Sequence, residues 1–397
     1  MTLRETMSEE NSMNFTSEHE QFRASVRRYV EKEINPHIEE WERAEMMPLH
    51  EIFADMAKLG FLGLDYDPAY GGQGADHLFT LVLAEELGRI DNGAFPMAFG
   101  VHNGMATPSL HDHGTHELKE AFLAPAMRGE MVAAVAITEP GAGSDVSAIR
   151  SRARRDGDDW IINGSKMFIT NALQADWLCV LVRTSDEIGF RGMSQIIVPA
   201  KTPGFKVSRK LDKLGMRASD TGLLSFDDVR VPVSNTIGQI GRGFQQQMQQ
   251  FVRERMWGCY SVPPCMDIAL ARTRDYARQR KLFGQTLADN QYLQYQYAEF
   301  AAEVDLLRVY NHEMGKAFAR GEDTTRRATI AKLKAGRLSR QVADWCVQVH
   351  GGIGYMEETW TSRFFRDNRL LGIGGGADEV MMRVLSTMDG FTGGAAK

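Results

Sequence analysis

The sequence predicts an α+β protein: an N-terminal helical domain, a middle β-barrel or sandwich domain, and a C-terminal four-helix-bundle domain. Three observations carry that expectation. Apolar residues recur at helix spacing up to about residue 130. Short β-branched runs separated by turn residues fill about 133–241. Long helix-period segments return after Gly241-Arg-Gly243. Helices and strands are segregated, not alternating, so a doubly wound sheet is excluded. No Gly-x-Gly-x-x-Gly follows a strand, which argues against a Rossmann nucleotide site. The chain has 397 residues, too many for one ordinary core, and the domains are placed at 1–132, 133–241 and 242–397.

The elements follow in order. Met1 to Asn14 mixes Arg4 with Glu5, Glu9 and Glu10. It has neither the apolar core of a signal peptide nor the acid-poor bias of a transit peptide, and reads as a disordered lead-in to a cytoplasmic protein. A helix starts near Ser17, carrying Phe22, Val26, Tyr29 and Val30. Thr16 or Ser17 is its expected N-cap, with Glu20 completing a capping box. Further helices are expected at about 49–59, ending at Gly60, and 76–87, with a loop at Pro68 and Gly71–Gly74 between them. Met131–Thr138 is the first strand-like run. Asp156-Gly157 and Asn163-Gly164 read as hairpin turns, and runs at 177–183, 195–199 and 206–231 bring the total to roughly seven strands. A helix from Phe244 towards Arg280 should break or kink at Pro263-Pro264. Two more helices are expected at 290–320, ending at Gly321, and at 323–350, ending at Gly351-Gly352. The final Gly-Gly-Ala-Ala-Lys should fray.

Composition narrows the function. The net charge of −6 is spread through mixed-sign sequence, with no basic stripe for nucleic acid and no apolar run long enough to span a bilayer. Cys179, Cys259, Cys265 and Cys346 show no Cys-x-x-Cys spacing and read as buried apolar residues. His111, His113 and His116 cluster in what reads as a polar loop, with no cysteine near, so no metal is expected.

Two stretches invite a ligand. Arg366–Val380 holds an Arg-Asp pair, an apolar run, three consecutive glycines and the start of a last helix. Glycines let backbone amides approach a ligand, and amides at a helix start favour a negative or polarised oxygen. Ala136–Asp145 runs from a strand into a Pro-Gly-Ala-Gly turn with hydroxyls at both ends, and Phe168-Ile-Thr170 places an aromatic just before a hydroxyl. Both suit a flat, polar-edged ligand; a plain turn explains them equally well.

Taken together, these motifs identify a resemblance to the acyl-CoA dehydrogenase family from about Phe15 to Met388. Thr138–Asp145 resembles its first flavin and substrate signature. Ile162–Lys166 with Phe168–Thr170 resembles the second, where Trp is usual for Phe168. Arg280-Lys-Leu-Phe-Gly284, Gln348-Val-His-Gly-Gly352 and Arg366-Asp367 match the C-terminal motifs in order. The resemblance implies an FAD enzyme that converts an acyl-CoA thioester to the trans-2,3-enoyl-CoA, usually a homotetramer, with an electron-transfer flavoprotein as acceptor. It implies that Ile137, Thr138, Gly143, Ser144, Phe168, Ile169 and Thr170 line the flavin, Ser144 also the thioester. Arg280, Phe283 and Gln291, with a neighbouring subunit's copies of Gln348, Gly351 and Gly352, hold the pyrophosphate and adenine end. Ala377 and Glu379 complete the cofactor set, although Ala377 stands where a flavin-bonding Thr is common.

The chemistry needs a polarised thioester carbonyl and a desolvated carboxylate at the α-carbon. A free Glu titrates at about 4.3, so its surroundings must raise it. The family's usual Glu, ten positions into the Arg-Asp segment, is Gly375 here. A branch resembling isovaleryl-CoA and long-chain acyl-CoA dehydrogenases instead carries the base on the first C-terminal helix, directly before an Arg. At that branch's spacing, 26 residues ahead of Arg280, stand Glu254 and Arg255. Glu254 is therefore the candidate base, with Phe251 and Trp257 as a possible apolar wall and Arg255 at the substrate; without the resemblance it would read as a solvated Glu in a charge run. Gly375 keeps its N–H for the thioester. Gly374 replaces a bulky aromatic and opens space near the β-carbon, which points to 3-methyl-branched or isoprenoid acyl chains such as isovaleryl or citronellyl. The alternatives are a straight medium or long acyl chain, an oxygen-using flavin oxidase or monooxygenase, and a non-catalytic acyl-CoA-binding scaffold.

Overall fold

A computed structural model describes residues 15–187 and 189–391. The expected lead-in and frayed end lie outside the described residues. The chain folds into two compact units. One draws on Met1–Glu39, Asp76–Pro96 and Arg255–Lys397; the other comprises Glu40–Ala75 and Met97–Glu254.

The first unit is helical. Helix α1 (Ser17–Tyr29) is capped by Thr16, and the residue that closes its capping box is His19, not Glu20. The His19 ring accepts the Thr16 backbone N–H at 3.1 Å. Imidazole can replace a carboxylate here because the box needs only an acceptor three residues into the helix. Helix α1 also buries Arg23 against Glu85 at 2.7 Å and Glu86 at 3.2 Å, while Arg27 reaches Glu86 at 2.7 Å. His312 closes this network on Glu85 at 2.7 Å. Glu85 and Glu86 belong to α2 (His77–Leu87), whose N-cap is Asp76.

Helix α3 (Gly243–Gln279), of which the part from Arg255 on belongs to this unit, corrects the expectation of a break. Its 37 residues run continuously with Pro263 and Pro264 inside. Pro263 lacks the N–H that would serve the Cys259 carbonyl. Asn311 Nδ2 donates to that carbonyl at 2.7 Å instead. Asn311 lies on α4 (Gln291–Ala319), so a neighbouring helix supplies the donor the proline removed. Helices α5 (Thr325–His350), α6 (Trp360–Asn368) and α7 (Asp378–Met388) complete this unit. Gly321 at φ +75° and Gly351 at φ +63° end α4 and α5 where the sequence places their stops.

The second unit is built on one mixed eight-stranded sheet. Its strands are β1 (Ala133–Ala136), β2 (Arg152–Asp156), β3 (Asp159–Thr170), β4 (Trp177–Arg183), β5 (Met193–Pro199), β6 (Phe205–Lys210), β7 (Thr221–Pro232) and β8 (Thr236–Ile237). The order is β6-β7-β3-β2-β4-β5-β8, with β1 parallel to β4. Side chains alternate between two apolar layers. Leu178, Val180, Ile196 and Val198 join Trp160, Leu224 and Phe226 on one face. Trp177, Cys179 and Ile197 join Leu110, Leu123 and Met127 on the other. Asp156-Gly157 does turn a hairpin, β2 onto β3. Asn163-Gly164 does not: it sits inside β3, where the pairing with β7 shifts register. Gly164 at φ +145° packs against Ser151, so the turn-like dipeptide marks a bulge.

The helix through the two prolines generates a prediction. Asn311→Leu leaves the Cys259 carbonyl buried without its donor and should cost about 1–3 kcal/mol. Denaturant unfolding measures it; an unchanged midpoint would mean that the carbonyl finds another donor.

Candidate active site

In the sheet unit, the signature residues gather around the end of β3. After β1 the chain passes Ile137 and Thr138 and turns tightly at Pro140-Gly141. The turn is closed by Glu139 N–H donating to Ala142 O at 3.0 Å and Ala142 N–H to Glu139 O at 3.1 Å. The Met167 N–H donates to Thr138 O at 2.8 Å, tying this turn to β3. The Phe168 side chain then leaves the sheet. One extra residue of β3 is accommodated between Lys166 and Ile169 opposite β7, and Phe168 adopts φ +63°. A bulky residue with left-handed backbone is strained, and bulges re-aim side chains at functional sites. Here the result is an aromatic ring 62% exposed, while Ile169 returns to the core at 3%.

Beneath the turn lies a buried ion pair. Lys166 Nζ donates to Ile137 O at 2.8 Å and Glu139 Oε1 at 3.0 Å. Glu139 also accepts the Arg150 N–H at 2.6 Å and the Ser151 N–H at 2.9 Å. Burial pushes the Lys166 ammonium down to about 8, with Glu139 opposing. Burial pushes the Glu139 carboxyl up, but Lys166 and its donors outweigh it and hold it below the usual range. The pair fixes the carbonyl just before Thr138, so it sets where the signature turn stands. Gly143 and Ser144 are exposed beyond it, and a Cβ on Gly143 would meet nothing nearer than Thr138 Cγ2 at 3.9 Å. An exposed ring, half-buried Thr138 and Thr170 and an uncrowded glycine fit a flat group with a polar edge, as a flavin has.

In the helical unit, the glycine loop links α6 to α7. Leu370 O accepts both the Ile373 N–H at 2.8 Å and the Gly374 N–H at 2.9 Å. Gly375 at φ +63° and Gly376 at φ +101° then turn left-handed. Their carbonyls face cations: Arg255 Nε donates to Gly375 O at 3.5 Å, and Lys332 Nζ to Gly376 O. Ala377 is the N-cap of α7, and Asp378 and Glu379 stand in its first turn, Asp378 buried and Glu379 exposed. One face of α5 supports this loop. Lys332, Gly336 and Arg340 recur every four residues: a Cβ at Gly336 would crowd Asp378 Oδ1 at 3.1 Å and Leu371 O at 3.2 Å, so the glycine lets helix and loop approach, and Arg340 reaches Asp378 at 3.4 Å.

Helix α3 carries the three charged residues 253–255. Arg253 is tied to Asp65 at 3.4 Å. Arg255 serves Gly375. Glu254 is half-buried, Phe251 packs beside Ile137 and Met193, and Trp257 is buried with its Nε1 on Pro96 O at 2.9 Å.

Residues predicted for the distal cofactor end are exposed. Arg280 follows α3, and Phe283 occupies a hairpin turn at φ +51° with 96% exposure. Gln291, Gln348, Gly351 and Gly352 are exposed as well, beside Ile353 and Tyr355, which are 49% and 80% exposed. Among the described residues no group of three or more His, Cys, Asp or Glu could hold a metal. His111 and His113 lie on a short helix, and His111 stacks on Tyr66 at 4.4 Å. Sequence reasoning missed Lys332, Arg340, Asp378 and the Glu139–Lys166 pair. Lys332 had a signal: it lies on the stripe of α5 that also holds Ala328, Ala335 and Gly336.

Glu139→Gln should cost about 3 kcal/mol, because it leaves Lys166 buried beside a neutral partner. The contribution of Glu139 has a definite pH sign. Its folded carboxyl titrates below the unfolded one, so its stabilisation is complete above about pH 5 and lost as pH falls through the folded value. Acid unfolding compared between wild type and Glu139→Gln measures this; parallel curves would exclude it.

Profiles of the acyl-CoA dehydrogenase N-terminal, middle and C-terminal domains match residues 16–130, 134–229 and 241–387. The rat mitochondrial long-chain specific acyl-CoA dehydrogenase is 37% identical over 374 residues, covering 94% of this chain and 86% of that protein. The potato mitochondrial isovaleryl-CoA dehydrogenase is 32% identical over 375 residues, covering 94% and 91%. A crystal structure of an acyl-CoA dehydrogenase from Geobacillus kaustophilus superposes with a TM-score of 0.91 at 35% identity, covering 94% of this chain and 98% of that one. With all three domain profiles, the relatives and the fold in agreement, the chain belongs to the acyl-CoA dehydrogenase family, FAD-dependent oxidoreductases acting on CH–CH bonds.

Proposed function

We propose that this acyl-CoA dehydrogenase uses Glu254 as its base and desaturates acyl-CoAs branched at carbon 3. The observation that carries the reading is the glycine loop. Position 375 has no side chain to move a proton, while its N–H, like that of Gly376, donates to no other described residue. The loop is thus a donor surface, and the base comes from elsewhere in the chain. Glu254 has the residue type, the Arg neighbour and the spacing.

On this reading the Gly375 N–H donates to the thioester oxygen and acidifies the α C–H bond. Glu254 takes the α-proton as that bond breaks, and the electron pair becomes the new C=C bond as hydride leaves the β-carbon. When bound, FAD would supply the redox chemistry of the step. Thr138, Ser144, Phe168 and Thr170 would hold its ring system, and Arg280 would clasp its pyrophosphate in a fork. The exposed Phe283, Ile353 and Tyr355 suit burial against another copy of the chain, as in a homotetramer, with Gln348, Gly351 and Gly352 completing a neighbour's cofactor site. An electron-transfer flavoprotein is the acceptor. Among the described residues no helix is long and apolar enough to cross a membrane.

The branched-substrate reading is supported by Gly374. A Cβ there would only touch Leu370, at 3.6 Å, so the position is open by choice of residue and not by backbone need. The relative from potato acts, by its name, on isovaleryl-CoA, which supports the same preference.

Two experiments test the reading. Anaerobic mixing with isovaleryl-, citronellyl- and straight-chain acyl-CoAs should bleach the wild-type flavin. Glu254→Gln should retain FAD and bleach at least about a thousandfold more slowly; bleaching at the wild-type rate would remove Glu254 as the base. Rapid reoxidation by oxygen would favour an oxidase. In the second, Gly374→Phe should lower kcat/KM for 3-methyl-branched thioesters about tenfold or more, with straight-chain values changed far less. Equal losses on both classes would detach Gly374 from branch recognition.

A further inference from the structure

Both carbonyls of the left-handed pair Gly375-Gly376 are turned onto cations, and one of those cations is buried deeply. Lys332 is 2% exposed on α5 and donates to Gly376 O. Arg255 donates to Gly375 O at 3.5 Å. Burying an ammonium is costly unless it is well partnered, so a lysine kept at this point on a helix otherwise lined with Ala328, Ala331, Ala335 and Gly336 needs a reason. Simple packing would be met by Met or Leu.

The peptide plane supplies the reason. C=O and N–H of a trans peptide point in opposite directions. Holding Gly375 O on Arg255 sends the Gly376 N–H away from Arg255. Holding Gly376 O on Lys332 sends the Ala377 N–H away from Lys332. Neither left-handed glycine resists rotation by itself, because neither carries a Cβ. Two carbonyl anchors on consecutive peptides therefore decide where the loop's donors face. A cation on a carbonyl also polarises that peptide, which strengthens the Gly376 N–H through Arg255 and the Ala377 N–H through Lys332. On the far side of the loop, Arg340 holds Asp378 at 3.4 Å, so the same helix face fixes both ends of the turn.

We propose that Lys332 is a positioning residue for thioester activation: by holding the Gly376 carbonyl it fixes the left-handed turn that directly follows Gly375, and so keeps the Gly375 N–H facing the thioester oxygen of an acyl-CoA. This rests on the reading of the loop as the thioester donor surface. In the step it assists, the α C–H bond breaks, the proton goes to the carboxylate base, and the electron pair is delocalised onto the thioester oxygen.

The test separates this step from hydride loss. Holoenzyme reduced with dithionite cannot accept hydride, so α-hydrogen exchange of an acyl-CoA in D2O reports carbonyl polarisation and the base alone. Lys332→Met should load FAD and bind the thioester within about threefold of wild type. It should exchange at least about tenfold more slowly, the size expected when an oxyanion donor is weakened but kept. Lys332→Gln, which keeps a neutral donor, should recover part of the loss. Wild-type exchange in an FAD-loaded Lys332→Met overturns the proposal. Failure of both variants to fold also overturns it, because the cation would then be structural. Absence of exchange in the wild type with every acyl-CoA tried would instead overturn the reading of the loop on which the proposal rests.

Discussion

Two prolines in the middle of a 37-residue helix would ordinarily end it, and the candidate base stands nine residues before the first of them. Asn311 supplies the donor that Pro263 lacks, so the Cys259 carbonyl is not left unpaired as the helix passes through the prolines. Much depends on that one hydrogen bond. The same helix carries Arg253, Glu254 and Arg255, then Met256, Trp257 and Tyr260, buried in the helical unit. A break at Val262 would free the downstream turns that carry Met266, Ala269 and Leu270 into the core. The bond works because an amide side chain on a packed neighbour is a fixed donor, whereas water could not reach a carbonyl so buried.

The glycine loop presents the opposite problem, backbone with too much freedom. Three glycines in a row can adopt many turns, and the native one uses left-handed φ twice. Its definition comes from outside the loop, from a helix face of Lys332, Gly336 and Arg340 and from Arg255. A helix with small residues on one stripe can approach another backbone closely, and Gly336 does so at Leu371 O. In the sheet unit the division of labour is similar. The exposed Phe168 and the signature turn owe their placement to groups that face the interior, the Glu139–Lys166 pair and the bulge of β3.

The layout of helices, sheet and helices was legible because periodicity is a local property. The ordered motifs carried the family and the candidate base for the same reason. What stayed illegible depended on partners distant in sequence. Pro263-Pro264 reads as a break until Asn311 is placed beside it. Asn163-Gly164 reads as a hairpin turn until β7 is found pairing on both sides of it. Thr16 was recognised as a cap, but the choice between His19 and Glu20 rests on side-chain direction. Lys332 went unremarked because one lysine on an otherwise small-residue stripe acquires meaning only when a carbonyl faces it.

The backbone at 375 also bears on why this position carries no Glu. A glutamate at φ +63° would be strained, since only residues without a Cβ adopt that conformation freely. It would in addition stand on a carbonyl held by Arg255 and next to one held by Lys332. Cations that close lower a carboxyl's pKa, and a base poised to take a weakly acidic α-proton needs the reverse. With glycine at 375 the cations act only through peptide dipoles, where they strengthen donors instead of weakening a base. The absence of the Glu, the left-handed turn and the two carbonyl-bound cations are thus parts of one arrangement. Each would work against a loop that carried the base itself.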